Sequence, residues 1–139
     1  MSTDPDLLFV YGTLMRGLPL HHLIAGRCEF VGAGTVKGCL LDLGHYPGAV
    51  AEEPGIVHGE VYRFQTPGLL VALDREEEYR PHAPGRSLYL RRPTTVRLAD
   101  GREMSAWIYW YHGSRDRAVP IPGGDYRQHL TARALSRST

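Results

Sequence analysis

Two runs of β-forming residues, Ser87–Leu98 and Glu103–Tyr111, flank a short turn built on Asp100-Gly101. Both runs are rich in Tyr, Val, Thr, Trp and Ile, and an Asp-Gly turn between such runs predicts a β-hairpin. A hairpin is marginal in water until other strands or helices cover it. The rest of the chain therefore has to supply a sheet. Leu7–Tyr11 is a short apolar run suited to a central strand. Cys28–Leu43 reads as a strand that bends or bulges at Gly32, Gly34 and Gly38. Ile56–Phe64 returns to strand character.

Helices have less room. Pro19 and the apolar residues at 20, 23 and 24 predict a short helix or helical turn over about 19–25. Thr66-Pro67 predicts a second start, with Thr66 as cap and Pro67 in the first turn. Leu69, Leu70, Ala72 and Leu73 form the apolar stripe of that helix, and Asp74–Glu78 its acidic end. Residues 44–55 and 80–86 read as loops, with an extended piece around Ala49–Ala51. Asp125–Leu135 fits a last short helix. Five or more strands with modest helices give an α+β fold: a mostly antiparallel sheet able to close into a barrel. The expected organisation is one domain over 1–139, with its core at about 7–111 and the segment 112–139 packed on it or partly flexible.

Composition narrows the function. A formal net charge of +1 argues against nucleic-acid binding, which gathers a basic excess. The N-terminal MSTDPDLLFVY has neither the basic start nor the apolar run of a signal peptide, and no stretch suits a membrane helix. The expectation is a soluble, cytoplasmic protein. In that setting Cys28 and Cys39 read as reduced, buried small hydrophobes. Seven histidines, His21, His22 and His45 among them, show no HExxH spacing and no CxxC partner, so no metal is expected. The aromatic run Trp107–Tyr111 alternates as core and cross-strand pairs do.

Two stretches carry chemistry. FVYGTLMRG (9–17) stops a strand at Tyr11-Gly12-Thr13-Leu14, ahead of a predicted helix. Backbone N–H groups at such a stop can bind an anion. The plainer reading is a tight turn that needs Gly12 for its backbone angles. LDREEEY (73–79) would place Asp74, Glu77 and Glu78 on one face if the helix continued. Crowded, buried carboxylates have raised pKa values, as a general acid–base catalyst requires. A solvated acidic helix end is the plainer reading here.

Taken in order, FVYGTLMRG, GEVYRF (59–64), LDREEEY, YLRRPTTV (89–96) and AWIYWY (106–111) resemble the γ-glutamyl cyclotransferase-like superfamily, nearest its γ-glutamylamine cyclotransferase/AIG2-like branch. The likeness runs from about residue 7 to 111, and its specific part is YGTL followed by a mid-chain LDxxE. It implies a small mixed β-barrel with short flanking helices. It also implies release of 5-oxoproline from a small γ-glutamyl substrate, without metal or cofactor; the oligomeric state stays open between monomer and homodimer. The resemblance makes Glu77 the catalytic carboxylate. It makes Tyr11, Gly12, Thr13 and Leu14 backbone contacts to the γ-glutamyl group, with Tyr89 and Arg91 in support. Asp74 and Glu78 would raise the pKa of Glu77. The family usually has a small residue after the catalytic Glu, where this chain has Glu78, and its 79–89 loop is somewhat long. Glu76 and Glu78 therefore stay as further candidates for the working acid. The alternative is a non-catalytic module that binds a small acid on the same fold.

Overall fold

A computed structural model describes residues 5–137 apart from 45, 53, 67 and 81. Its strands are β1 (Leu7–Val10), β2 (Cys28–Lys37), β3 (Cys39–Asp42), β4 (Pro47–Val50), β5 (Ile56–Phe64), β6 (Tyr89–Leu98), β7 (Glu103–Tyr111) and β8 (Val119–Pro120). Two α-helices, α1 (Leu69–Glu76) and α2 (Tyr126–Arg137), complete the fold with two 3₁₀ turns, His21–Leu23 and Pro84–Arg86.

The hairpin forms as expected, with β6 and β7 antiparallel from Tyr89↔Tyr111 to Arg97↔Glu103. Around it the strands run β1-β5-β2-β6-β7, and a parallel contact from β1 to β7 at Leu8↔Trp107 closes a five-stranded mixed barrel. The β2 strand bulges between Phe30 and Gly32 and ends at Lys37, and Gly38 separates it from β3. Leu8, Val57, Val61, Val96, Ala106 and Ile108 are fully buried and form the barrel's core.

Barrel closure creates a fork. β7 pairs in parallel with β1 at Trp107 and, further along the same strand, with β4 at Trp110. Tyr11, the first residue after β1, fills the gap. Its hydroxyl donates to the Tyr109 carbonyl at 2.6 Å and accepts from the Ala49 N–H at 3.2 Å. One phenol thus satisfies the two backbone groups that the divergence of β1 and β4 leaves apart.

Several local expectations need correction. The helix expected over 19–25 is only the 3₁₀ turn His21–Leu23, because successive turns carry the chain from Gly12 to Leu20. α1 is capped by Gly68 at φ 81°, not by Thr66, and Pro67 lies outside the described residues. The extended piece expected around Ala49–Ala51 is part of a buried strand that starts earlier, at Pro47, and lies between β3 and β7. The loop at 80–86 contains a 3₁₀ turn, and Pro81 lies outside the described residues. Cys28 and Cys39 are half-buried rather than buried. At the C-terminus, α2 is tied to the sheet by a buried Tyr126 and by a His129–Asp42 contact to β3 at 2.8 Å. No helix among the described residues is long and apolar enough to cross a membrane.

Candidate active site

The strand stop and the acidic end of α1 meet across one cavity of about 250 Å³. Tyr11, Gly12, Thr13, Leu14, Glu77 and Tyr89 all line it. Pro47, Tyr46, Leu88 and Tyr109 complete its wall, with Glu76 and Glu78 beside Glu77.

Glu77 is held there by the way α1 ends. The last helical residue is Glu76; Glu77 follows as the cap, with its N–H on the Leu73 carbonyl at 2.8 Å. Glu78 then turns into the left-handed region at φ 53°. Its N–H bonds to the Arg75 carbonyl, and the Tyr79 N–H bonds to the Asp74 carbonyl at 2.8 Å. This is a Schellman ending, normally built on Gly. It reverses the chain abruptly and leaves Glu77 facing the cavity, half-buried, between two exposed glutamates. Because the helix stops, Asp74, Glu77 and Glu78 do not share a face.

Asp74 instead turns away from the cavity. Arg91 and Tyr109 are directly opposed on β6 and β7, so their side chains leave the same face of the hairpin. Both reach Asp74. Arg91 donates from Nε to Oδ1 at 2.8 Å and from Nη2 to Oδ2 at 3.1 Å, and the Tyr109 hydroxyl donates to Oδ1 at 2.6 Å. The Arg91 guanidinium also lies 4.4 Å from the centre of the Trp107 ring. The end of α1 is thereby pinned to the hairpin.

The Glu77 carboxyl has no hydrogen-bond partner among the described residues. Burial, and then the neighbouring charge of Glu76, pushes its pKa from 4.5 up to about 7. The neighbours responsible are therefore not the expected Asp74 and Glu78. Asp74 is neutralised by Arg91, and Glu78 is exposed on the reversed chain, where solvent screens its charge.

Across the cavity, Gly12–Leu14 form a tight turn closed by the Met15 N–H on the Gly12 carbonyl at 3.0 Å. The amides of Gly12, Thr13 and Leu14 have no partner among the described residues. They lack the helix dipole that the sequence suggested, since only a 3₁₀ turn follows. Gly12 is not required for its backbone angles either. A Cβ there would come within 2.6 Å of the Pro47 Cγ, so Gly12 is needed for the close approach of β4. Tyr89 is buried, and its hydroxyl donates to the Pro47 carbonyl at 2.7 Å.

Tyr109 was absorbed into the core by the alternation of its strand, yet it borders the cavity. The available signal was its register opposite Arg91. The histidines are dispersed: His21 and His22 bond to the carbonyls of Leu14 and Pro19, and His45 lies outside the described residues. Chemically, the site sets a carboxyl that titrates near neutrality against a row of unpartnered amides, in a cavity suited to one small molecule.

Comparison with known proteins agrees with this architecture. The profile of the family described as gamma-glutamyl cyclotransferase, AIG2-like, matches residues 8–128. The chain is 32% identical over 124 residues to the gamma-glutamylcyclotransferase family protein YtfP of Escherichia coli, covering 86% of this chain and 94% of that protein. It is 31% identical over 123 residues to the gamma-L-glutamyl-butirosin B gamma-glutamyl cyclotransferase of Niallia circulans, covering 88% and 76%. The solution structure of Escherichia coli YtfP superposes with a TM-score of 0.62 at 31% identity, covering 89% of this chain and 98% of that one.

Proposed function

Because the chain belongs to the gamma-glutamyl cyclotransferase, AIG2-like family, we propose that it releases 5-oxoproline from a γ-glutamyl amine, peptide or metabolite, with Glu77 moving the protons. The supporting observation is the unpartnered carboxyl of Glu77, with its pKa near 7, in the same cavity as the free amides of residues 12–14.

The reaction is an intramolecular aminolysis. The substrate's α-amino nitrogen attacks its own γ-carbonyl carbon. A C–N bond closes the five-membered ring, and the bond to the leaving amine breaks. Both reacting groups belong to one molecule, so holding the folded-back conformer lowers the barrier by removing lost motions. Glu77 takes a proton from the attacking nitrogen and returns it to the leaving nitrogen. A pKa near 7 suits both roles at neutral pH. The amides of 12–14 are donors for the substrate carboxylate or for the oxyanion that forms on the γ-carbonyl. No water is consumed, which separates this reaction from hydrolysis to glutamate.

The test is a panel of γ-glutamyl compounds assayed for 5-oxoproline by mass spectrometry, with wild-type protein and Glu77→Gln. Wild type should release 5-oxoproline from at least one compound, and Glu77→Gln should lower the rate by about 10²–10⁴ while remaining folded. Full activity in the variant would refute the role of Glu77. Glutamate as product would replace cyclisation with hydrolysis, and binding without turnover would favour a sensing module.

A further inference from the structure

Four tyrosines, Tyr11, Tyr46, Tyr89 and Tyr109, border the cavity, and the hydroxyls of three have already given their protons to the protein. Tyr11 donates to the Tyr109 carbonyl at 2.6 Å, Tyr89 to the Pro47 carbonyl at 2.7 Å, and Tyr109 to Asp74 Oδ1 at 2.6 Å. A hydroxyl has one proton, so each oxygen can now only accept. The oxygen of Tyr11 is used, because the Ala49 N–H donates to it. The oxygens of Tyr89 and Tyr109 receive no hydrogen bond from any described residue.

These two residues are 5% and 4% exposed. Burial foremost, with the charge of Glu77 among the further causes, pushes both pKa values up, so both phenols keep their protons. The oxygens of Tyr89 and Tyr109 and the Glu77 carboxylate are thus three acceptors on residues that line the same cavity. The amides of 12–14 present donors. An ammonium group carries three N–H donors and no lone pair, the complement of the three acceptors.

We infer that Tyr89 and Tyr109 bind the α-amino group of the substrate, and so select compounds whose α-nitrogen is free. The inference rests on the cyclotransferase reading above. Glu77 takes the proton of the remaining N–H, and rotation about the Cα–N bond then turns the freed lone pair to the γ-carbonyl carbon. An N-acylated substrate offers a single N–H and leaves two buried acceptors unanswered, which disfavours it. Tyr109 has a second tie to the site, because the proton that makes its oxygen an acceptor is held by Asp74 at the anchored end of α1.

The experiment uses Glu77→Gln protein, which would hold substrate without consuming it. Calorimetry compares γ-L-glutamyl-butylamide with N-butylglutaramic acid, which lacks only the α-amino group. The first should bind at least about tenfold more tightly, as expected for lost hydrogen bonds to a charged group. Adding Tyr109→Phe or Tyr89→Phe should shrink that ratio several-fold. The ratio is internal to each variant, so a general loss of stability does not move it. The two single variants are independent, and inhibition of otherwise wild-type enzyme by N-butylglutaramic acid needs neither. In the active enzyme, Tyr109→Phe should raise KM for γ-L-glutamyl-butylamide more than it lowers kcat. Equal affinity for the two compounds, or a ratio unchanged in both Phe variants, overturns the inference. If the panel still yields 5-oxoproline in that case, the cyclotransferase reading survives. If no compound yields it, both fall.

Discussion

Asp74 and Glu77 are three residues apart at one end of α1, and the fold treats them in opposite ways. Asp74 receives two hydrogen bonds from Arg91 and one from Tyr109. Glu77 receives none from the described residues, although burial pushes its pKa to about 7. The chemical group is the same, so the contrast is one of surroundings. A buried carboxylate with its charge answered is ordinary architecture. An unanswered one costs stability and is kept where its proton is useful. Asp74 fixes the position of the helix end, and the turn that follows sets Glu77 in the cavity wall.

The most severe way to break this division is at Arg91. Arg91→Met leaves Asp74 uncompensated beside Tyr109 and should cost about 3–5 kcal/mol of folding stability. Thermal unfolding at pH 7 should show a fall in Tm on the order of 10 °C. Glu77→Gln, by contrast, should leave Tm unchanged or higher while removing activity. A large drop in both variants would mean that the two carboxyls are structural alike.

A milder test follows stability with pH. The Glu77 pKa rises from 4.5 in an unstructured setting to about 7 in the fold. The folded state therefore holds this proton more tightly. Its contribution to stability is complete below about pH 4.5 and is lost as pH rises through about 7. Glu77→Gln does not titrate, so its Tm should gain on wild type across that interval. A shift of this size corresponds to about 3 kcal/mol, and solvent reaching the half-exposed carboxyl cuts that to about half. Parallel Tm–pH curves would contradict the raised pKa.

The same contrast separates what the sequence discloses from what it hides. Local signals carried the strands: β5 and β7 begin and end where their β-formers do, and Asp100-Gly101 marked the hairpin. Only the second half of β4 was legible, as the extended piece around Ala49–Ala51, because Pro47 and Gly48 mark a turn locally. In the fold that segment pairs with β3 and β7, and a Cβ on Gly48 would come within 2.6 Å of the Tyr111 Cβ. Glu77 was singled out by resemblance rather than by spacing, since the acidic run alone reads as a solvated helix end. The partner of Asp74 lies 17 residues away on another element. Nothing local distinguishes an answered charge from an unanswered one, so the sequence grouped Asp74 with Glu77. Tyr109 was missed for the same reason: its cavity role depends on Arg91 opposite and α1 above, neither of which strand alternation encodes.

Glu78 offers a smaller effect on the same turn. At φ 53° it bears the steric cost of a left-handed residue with a side chain. Glu78→Gly should relieve that strain and stabilise the protein by about 0.5–1 kcal/mol, or about 2–4 °C in Tm. Activity should persist, because the Schellman bonds that aim Glu77 are made by backbone. A loss of activity in a stabilised Glu78→Gly protein would make Glu78, not Glu77, the working acid.

Glu76 gives the finest measurement. Burial is the larger cause of the raised Glu77 pKa, and the charge of Glu76 the second. As a base, Glu77 must be ionised, so kcat/KM should rise with pH up to about 7 and then level until other groups titrate. Glu76→Gln removes the like charge and eases ionisation of Glu77, so this acid limb should move to lower pH. Glu76 is exposed, and water and salt screen its charge, which limits the displacement to a fraction of a pH unit. Added salt should displace the wild-type limb in the same direction and leave the Glu76→Gln limb in place. A limb that ignores both changes would leave burial as the sole cause of the shift. Displacement to higher pH would mean that the limb reports a different group, and the contrast between Asp74 and Glu77 would lose its functional half.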